Sequence, residues 1–242
     1  EALLSGRAID ATTGLPFENL AEPGPEPGGL YAVPTVLNWH EQASTGATGG
    51  NFGGDTPVLG IPGTTGSGDY FVMEATGFMQ LPAGTHRLGV NSDDGFKLTF
   101  GTGINPLDRF TPLQVAILDG TRGFGNTEVN VTVSTAGIYP FRLIWWENTG
   151  ANSGIEFFNF PPGTTSGTRY LVNDAAQANA FKTYRELLAP ITTPIATFVS
   201  PAAGSTSSGP RPFIEVDLLN QGTTVVTSSV RLLMDGGELA PT

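Results

Sequence analysis

From about residue 70 onward, apolar and polar residues alternate with a period of two. Phe96, Leu98 and Phe100 alternate with Lys97 and Thr99, and Val129, Val131 and Val133 alternate with Glu128, Asn130 and Thr132. Successive side chains of an extended chain point to opposite faces, so each segment predicts a strand with one buried face and one wet face. Residues 70–75, 78–81 and 86–90 read as further short strands. Residues 138–146 are apolar on both parities, with Tyr139, Phe141, Leu143 and Trp145 on one side and Ile144 and Trp146 on the other. That pattern predicts a strand that lies centrally or has its outer face covered, and residues 155–160 share it.

Other segments break the alternation. Phe181, Tyr184, Leu187 and Leu188 fall at helical spacing after Asn173, a favourable N-cap, and before Pro190, which predicts a helix over residues 174–188. The apolar stretch Ala2-Leu3-Leu4 suits one strand within residues 1–10. Residues 22–29 are Pro/Gly-rich, which neither helix nor ladder absorbs, and read as a linker. After Thr193-Pro194, residues 196–200, 213–219, 223–227 and 230–234 read as four short β segments, with turns at 201–204 and 220–222. The expected divisions are an arm and linker over 1–28, a sandwich over 29–172, a helix and connector over 173–193, and a second β region over 194–242.

Composition narrows the class. In 242 residues there are 33 Gly and 19 Pro but only 14% charged residues, which favours many short strands joined by turns. A formal net charge of −11 opposes phosphate backbones, so nucleic acid is not an expected partner. With no cysteine, neither disulfides nor thiolate metal sites are available. No apolar run is long enough for a membrane span, so no membrane insertion is expected. The chain begins at Glu1 rather than Met, as a processed product or a piece of something longer would.

The residues around the Asp-rich turn resemble a known family. Leu81-Pro82-Ala83-Gly84-Thr85-His86-Arg87-Leu88, then Asn91-Ser92-Asp93-Asp94-Gly95-Phe96-Lys97-Leu98, then Gly137-Ile138-Tyr139-Pro140-Phe141-Arg142-Leu143 and Trp146-Glu147-Asn148 are similar in order and spacing to the PA-fourteen domain of bacterial surface proteins and flocculin-like adhesins. The resemblance covers roughly residues 29–172. It implies an all-β fold, a PA-fourteen-type antiparallel β-sandwich. The segments after residue 194 resemble the opening half of a bacterial immunoglobulin-like domain, about half of what such a sandwich needs.

In sugar-binding members of the PA-fourteen family, paired aspartates and a later asparagine hold calcium, which binds sugar hydroxyls. The resemblance maps the aspartate pair onto Asp93 and Asp94, and the asparagine onto Asn148 or Asn152. Calcium takes about six to eight oxygen ligands, so two carboxylates leave positions open for hydroxyls. Adjacent strand side chains diverge, so convergence on one ion requires a turn or a cis peptide between the two aspartates. Asp94-Gly95 is equally a favoured hairpin turn that needs no metal. An exposed Trp146 would stack on a sugar ring, whereas Trp145 and Trp39 read as packing.

No nucleophile elbow, phosphate loop or zinc motif occurs, and His40 and His86 belong to no triad pattern. Asp69, Glu74, Asp93, Asp94 and Glu156 are the carboxylates from which a glycosidase pair would be drawn, but no spacing favours one. The expectation is a non-enzymatic, extracellular or cell-surface carbohydrate-binding or adhesion module of a bacterial protein, with calcium as its possible cofactor and glycans as partners. The alternative is a structural subunit of a filament or surface layer. In it the N-terminal arm completes a neighbour's C-terminal domain, giving a homopolymer.

Overall fold

The alternating segments pair into two antiparallel sheets. The strands are β1 (Asn38–His40), β2 (Phe71–Leu81), β3 (Gly84–Asp93), β4 (Gly95–Phe100), β5 (Leu113–Leu118), β6 (Gly125–Val133), β7 (Gly137–Glu147), β8 (Gly154–Asn159), β9 (Tyr170–Leu171) and β10 (Thr183–Tyr184). One sheet runs β1-β8-β3-β6, with β9 also paired to β8, and the other runs β10-β2-β7-β4-β5. This is a computed structural model. It describes residues 2–4, 6–61, 68–101, 113–150, 152–185, 195–200, 215–219, 226, 231–234 and 237–239. The chain divides into two units, Glu1–Glu186 and Leu187–Thr242.

The inner faces meet over one core. Leu88, Val90, Ile155 and Phe157 come from the first sheet; Met79, Phe96, Leu98, Leu143 and Trp145 come from the second. The parity read along β4 holds, since Phe96, Leu98 and Phe100 are all buried. Strand β7 is central, between β2 and β4, which is why apolar residues fill both of its parities. Its outward Arg142 is nonetheless buried and pairs with Glu74. In β8 both faces are covered as well. Ile155 and Phe157 face the core, while Phe158 packs against Phe52 and Phe160.

The expected helix is not there in the described residues. Residues 172–185 form turns, irregular segments and the short strand β10, and residues 186–188 lie outside the described part. The cause is competition from side-chain hydrogen bonds with the sandwich. Asn173 has φ +68°, its Oδ1 accepts the Thr183 N–H, and its Nδ2 donates to the Thr35 carbonyl. Asn159 Oδ1 accepts the Phe181 N–H, and the Phe181 ring is buried edge-on to His86. Such bonds use the donors an α-helix would need.

The N-terminal arm differs too. Residues 2–4 and 6 are turns, and Ile9 bridges Pro16, so the described arm bonds to itself instead of extending as one strand. In the second unit, β11 (Ile195–Ser200) pairs with β12 (Glu215–Leu219), and β13 (Leu232–Met234) pairs with β14 (Gly237–Leu239). The strand expected at 223–227 and the turns at 201–204 and 220–222 fall outside the described residues, Val226 excepted.

Leu143 is 0% exposed between the sheets, whereas Ile138, on the same strand, is 58% exposed. Leu143→Ala is expected to cost about 2–5 kcal/mol by urea denaturation, because it leaves a cavity. Ile138→Ser should stay within about 0.5 kcal/mol. Equal effects at the two positions would contradict the assigned faces.

Candidate functional site

The β3–β4 hairpin turns at Asp93-Asp94, and β7 ends beside it. Gly95 pairs with Trp146, which sets Asp94 next to Glu147. Glu147 continues the inward parity of Phe141, Leu143 and Trp145, so the strand ends with a carboxylate aimed at the sandwich interior. Carboxylate oxygens of Asp93, Asp94 and Glu147 all lie within 4.8 Å of one another. The peptide between the two aspartates is cis.

Each member is held differently. Asp94 accepts the Arg122 N–H at Oδ1 (2.9 Å) and the Asn148 N–H at Oδ2 (3.0 Å). The turn's main chain is fixed by Trp145 Nε1, which donates to the Asp93 carbonyl, and by Ser92 Oγ, which donates to the Asp94 carbonyl. The Arg122 guanidinium donates to the Ser92 carbonyl and Oγ and to Thr127 Oγ1, and lies over the Phe96 ring. Arg122 therefore braces the turn through Ser92 and through its own N–H, a positioning role.

Glu147 is only 3% exposed, and neither of its carboxylate oxygens completes a hydrogen bond. Burial, with the charges of Asp94, Asp93 and Glu41, pushes its pKa up to about 7; the nearby Ser153 hydroxyl eases the rise without reaching hydrogen-bond geometry. Burial, then Asp94 and Glu41, raises Asp93 to about 6, against the opposing pull of Arg122. Two carboxylates are thus held above their usual range, and neither Glu147 oxygen meets a donor at hydrogen-bond geometry.

The donors present suit a hard cation. All three are carboxylates, with no thiolate or imidazole among them, a set that fits calcium or magnesium better than zinc. Calcium's tolerance of irregular oxygen geometry matches a site made from a turn and a strand end.

Beside the cluster, a groove of about 600 Å³ runs along the outer face of the second sheet. Trp146 and Ile144 of β7, Val72 of β2, Lys97 of β4 and Ile117 of β5 line it, and Tyr70, Glu147 and Asn148 stand at the end nearest the cluster. Trp146 lies flat over Gly95, where any Cβ would collide with its indole. Tyr70 is 72% exposed, and its N–H donates to the Asn148 carbonyl.

The sequence-derived residues are thus partly united. Asp93 and Asp94 converge, and Asn148 and Trp146 line the adjoining groove. Asn152 does not line it; its N–H donates to Glu41 Oε1. Asp69, Glu74 and Glu156 are bonded elsewhere, to Gly150, Arg142 and the Asn51–Phe52 main chain. Sequence reasoning passed over Glu147, Glu41, Arg122 and Tyr70. Only Glu147 carried a signal, its shared parity with the apolar run.

No protein-family model matches the chain, and no curated protein matches it. Among solved structures it is similar to the PA14 domain of the MpAFP antifreeze protein, with 20% identity over 47% of this chain and 52% of that one and a TM-score of 0.36. It is also similar to a PA14 sugar-binding domain from an RTX adhesin (18%, 43% and 51%, TM-score 0.33). A third is the epithelial adhesin 9 A domain from Candida glabrata in complex with Galb1-4GlcNAc (20%, 47% and 52%, TM-score 0.35). The chain spans about half the length of each.

The raised carboxylates set a pH dependence for the chelated protein. A carboxyl whose folded pKa exceeds its unfolded value binds its proton more tightly when folded, so stability is full at low pH and falls as pH rises. Glu147 sets that window from 4.5 to about 7, and Asp93 from 3.8 to about 6. With chelator present, the thermal midpoint should fall across this range, and Glu147→Gln should flatten the upper part. A wild-type midpoint that rises from pH 5 to pH 7 would contradict the site's electrostatics.

Proposed function

We propose that the sandwich is a non-enzymatic carbohydrate-binding module of an extracellular or cell-surface adhesion protein, assisted by calcium at Asp93, Asp94 and Glu147. The observation that carries this reading is Glu147: a buried carboxylate with two unpartnered oxygens, placed against an aspartate pair at the end of an aromatic groove. A bound calcium ion supplies charge neutralisation and open coordination positions for hydroxyl oxygens.

The chain's own residues do the remaining work. Arg122 and the Asn148 N–H hold Asp94 in place before any ligand arrives, so little ordering is left for binding. Trp146, laid flat by Gly95, gives the groove an apolar floor of the type that receives the C–H face of a sugar ring. Asn148 and Tyr70 line the same groove and offer hydrogen-bonding groups to a ring hydroxyl.

Asp93→Asn should abolish calcium binding in calorimetry and calcium-dependent retention on a glycan array. Trp146→Ala should keep the calcium and weaken glycan binding about ten-fold, equivalent to about 1.4 kcal/mol. Glycan retention unchanged by chelator and by Asp93→Asn, or a folded sample that retains no glycan, would refute the reading.

A further inference from the structure

We propose that the N-terminal arm is a displaceable flap over the groove on the outer face of the second sheet, seated there by Leu3. The proposal rests on the reading above for the groove's ligand, a glycan. Among the described residues that line the groove, all but one belong to β2, β4, β5 and β7 or to the segments that directly continue them. The exception is Leu3, which lies far ahead of the sheet in sequence. The arm therefore folds back onto the same face that presents Trp146.

The sheet register shows what this face offers. Ile144 of β7 is paired with Glu74 of β2 and with Lys97 of β4, and Lys97 is paired with Ile117 of β5. Paired positions on neighbouring strands share a face. Ile144 stands between Leu143 and Trp145, which face the core, so this row points outward. An outward row is expected to be wet, and its edge is, since Ile117 is 40% exposed. Its centre is not, because Ile144 is only 3% exposed. Leu3 shares the groove with both and is 49% exposed, seated on the face without being buried in it.

The arm is able to move as one piece. The N–H groups of Arg7 and Ala8 both donate to the Ala2 carbonyl, and Gly6, at φ +66°, donates to the Leu3 carbonyl to close the turn that presents this side chain. Asp10 N–H donates to the Leu15 carbonyl, Phe17 N–H donates to the Ala8 carbonyl, and Ile9 bridges Pro16. These bonds gather residues 2–4 and 6–17 into a small knot. Residues 18–21 follow as an exposed tether outside any strand, and Glu22 N–H then donates to the Gly60 carbonyl (2.8 Å). Ile9, Leu15 and Phe17 are all more than half exposed, so the knot buries little of its apolar surface. Segments with few buried apolar contacts open at the lowest free-energy cost.

A closed flap lowers apparent affinity in proportion to the fraction of molecules whose groove is open. Leu3→Asp sets a charge against an apolar floor and disfavours the closed position, while Leu3→Ala removes most of the contact and keeps it neutral. Both are made in the full chain, where a half-exposed leucine in a turn tolerates the change. Two of the three tryptophans are shielded, Trp39 at 5% and Trp145 at 0% exposed, so acrylamide quenching of intrinsic fluorescence reports on Trp146 in the groove. Leu3→Asp should raise the quenching constant about two-fold and glycan affinity about three-fold, as for a groove otherwise open about one-third of the time. Leu3→Ala should fall between it and the wild type. Leu20→Asp, a charge on the exposed tether, should change neither readout.

Quenching unchanged in Leu3→Asp would overturn the flap and leave the glycan reading standing. Raised quenching with glycan affinity unchanged or lowered would also overturn it, because the arm would then be a fixed wall of the groove and no barrier to its ligand. Raised quenching in a protein that retains no glycan, with or without Leu3, would keep the flap and refute the carbohydrate reading.

Discussion

Like charges crowd one end of the sandwich, where Asp93, Asp94, Glu147 and Glu41 meet with Arg122 as the cation beside them. A low-dielectric setting makes such crowding costly unless donors or a cation answer each oxygen. Most of the answer is main chain. Asp94 takes the N–H groups of Arg122 and Asn148, Glu41 takes those of Gly68, Asn152 and Ser153, and Asp69 takes that of Gly150. The loops around the tip are placed by these bonds. Glu147 is left over, and the course of the loops and the unmet charge of Glu147 are two outcomes of one electrostatic arrangement.

The strands were legible because burial on one side writes a period of two into the sequence. The runs at 96–100 and 129–133 did so, and β7 was readable as central from its apolar residues on both parities. The aspartate pair came from a motif, and its convergence with Glu147 followed from the parity of β7, although the sequence marked Glu147 no more strongly than any strand-end acid. Partners such as Arg122 and Glu41 were invisible, since each reaches the tip through three-dimensional proximity and main-chain bonds.

The helix was misread for a related reason. Phe181 and Tyr184 have helical spacing, yet Phe181 is buried in the sandwich core edge-on to His86, and Asn173 takes a left-handed conformation instead of capping a helix. Spacing alone cannot separate one face of a helix from two contacts made by an irregular strap. In β8 the opposite problem arose. The residues at 155–160 announced a strand buried on both faces but not what covers the outer one. The cover is a loop whose N–H groups hold Glu156, so a charged residue there is a fastener for that loop.

The loop after β7 is secured from outside itself. Carboxylates elsewhere in the chain grip the N–H groups of Asn148, Gly150, Asn152 and Ser153, and every one of those donors is common to nearly all amino acids. Apart from the left-handed conformations at Gly150 and Asn152 and the buried Ser153, the described part of the loop is held by its main chain more than by its side chains. Natural variation could therefore rewrite the surface bordering the groove residue by residue while the scaffold beneath stays put. A tip of this kind separates evolvability from stability, and related chains would be expected to diverge first in what they recognise.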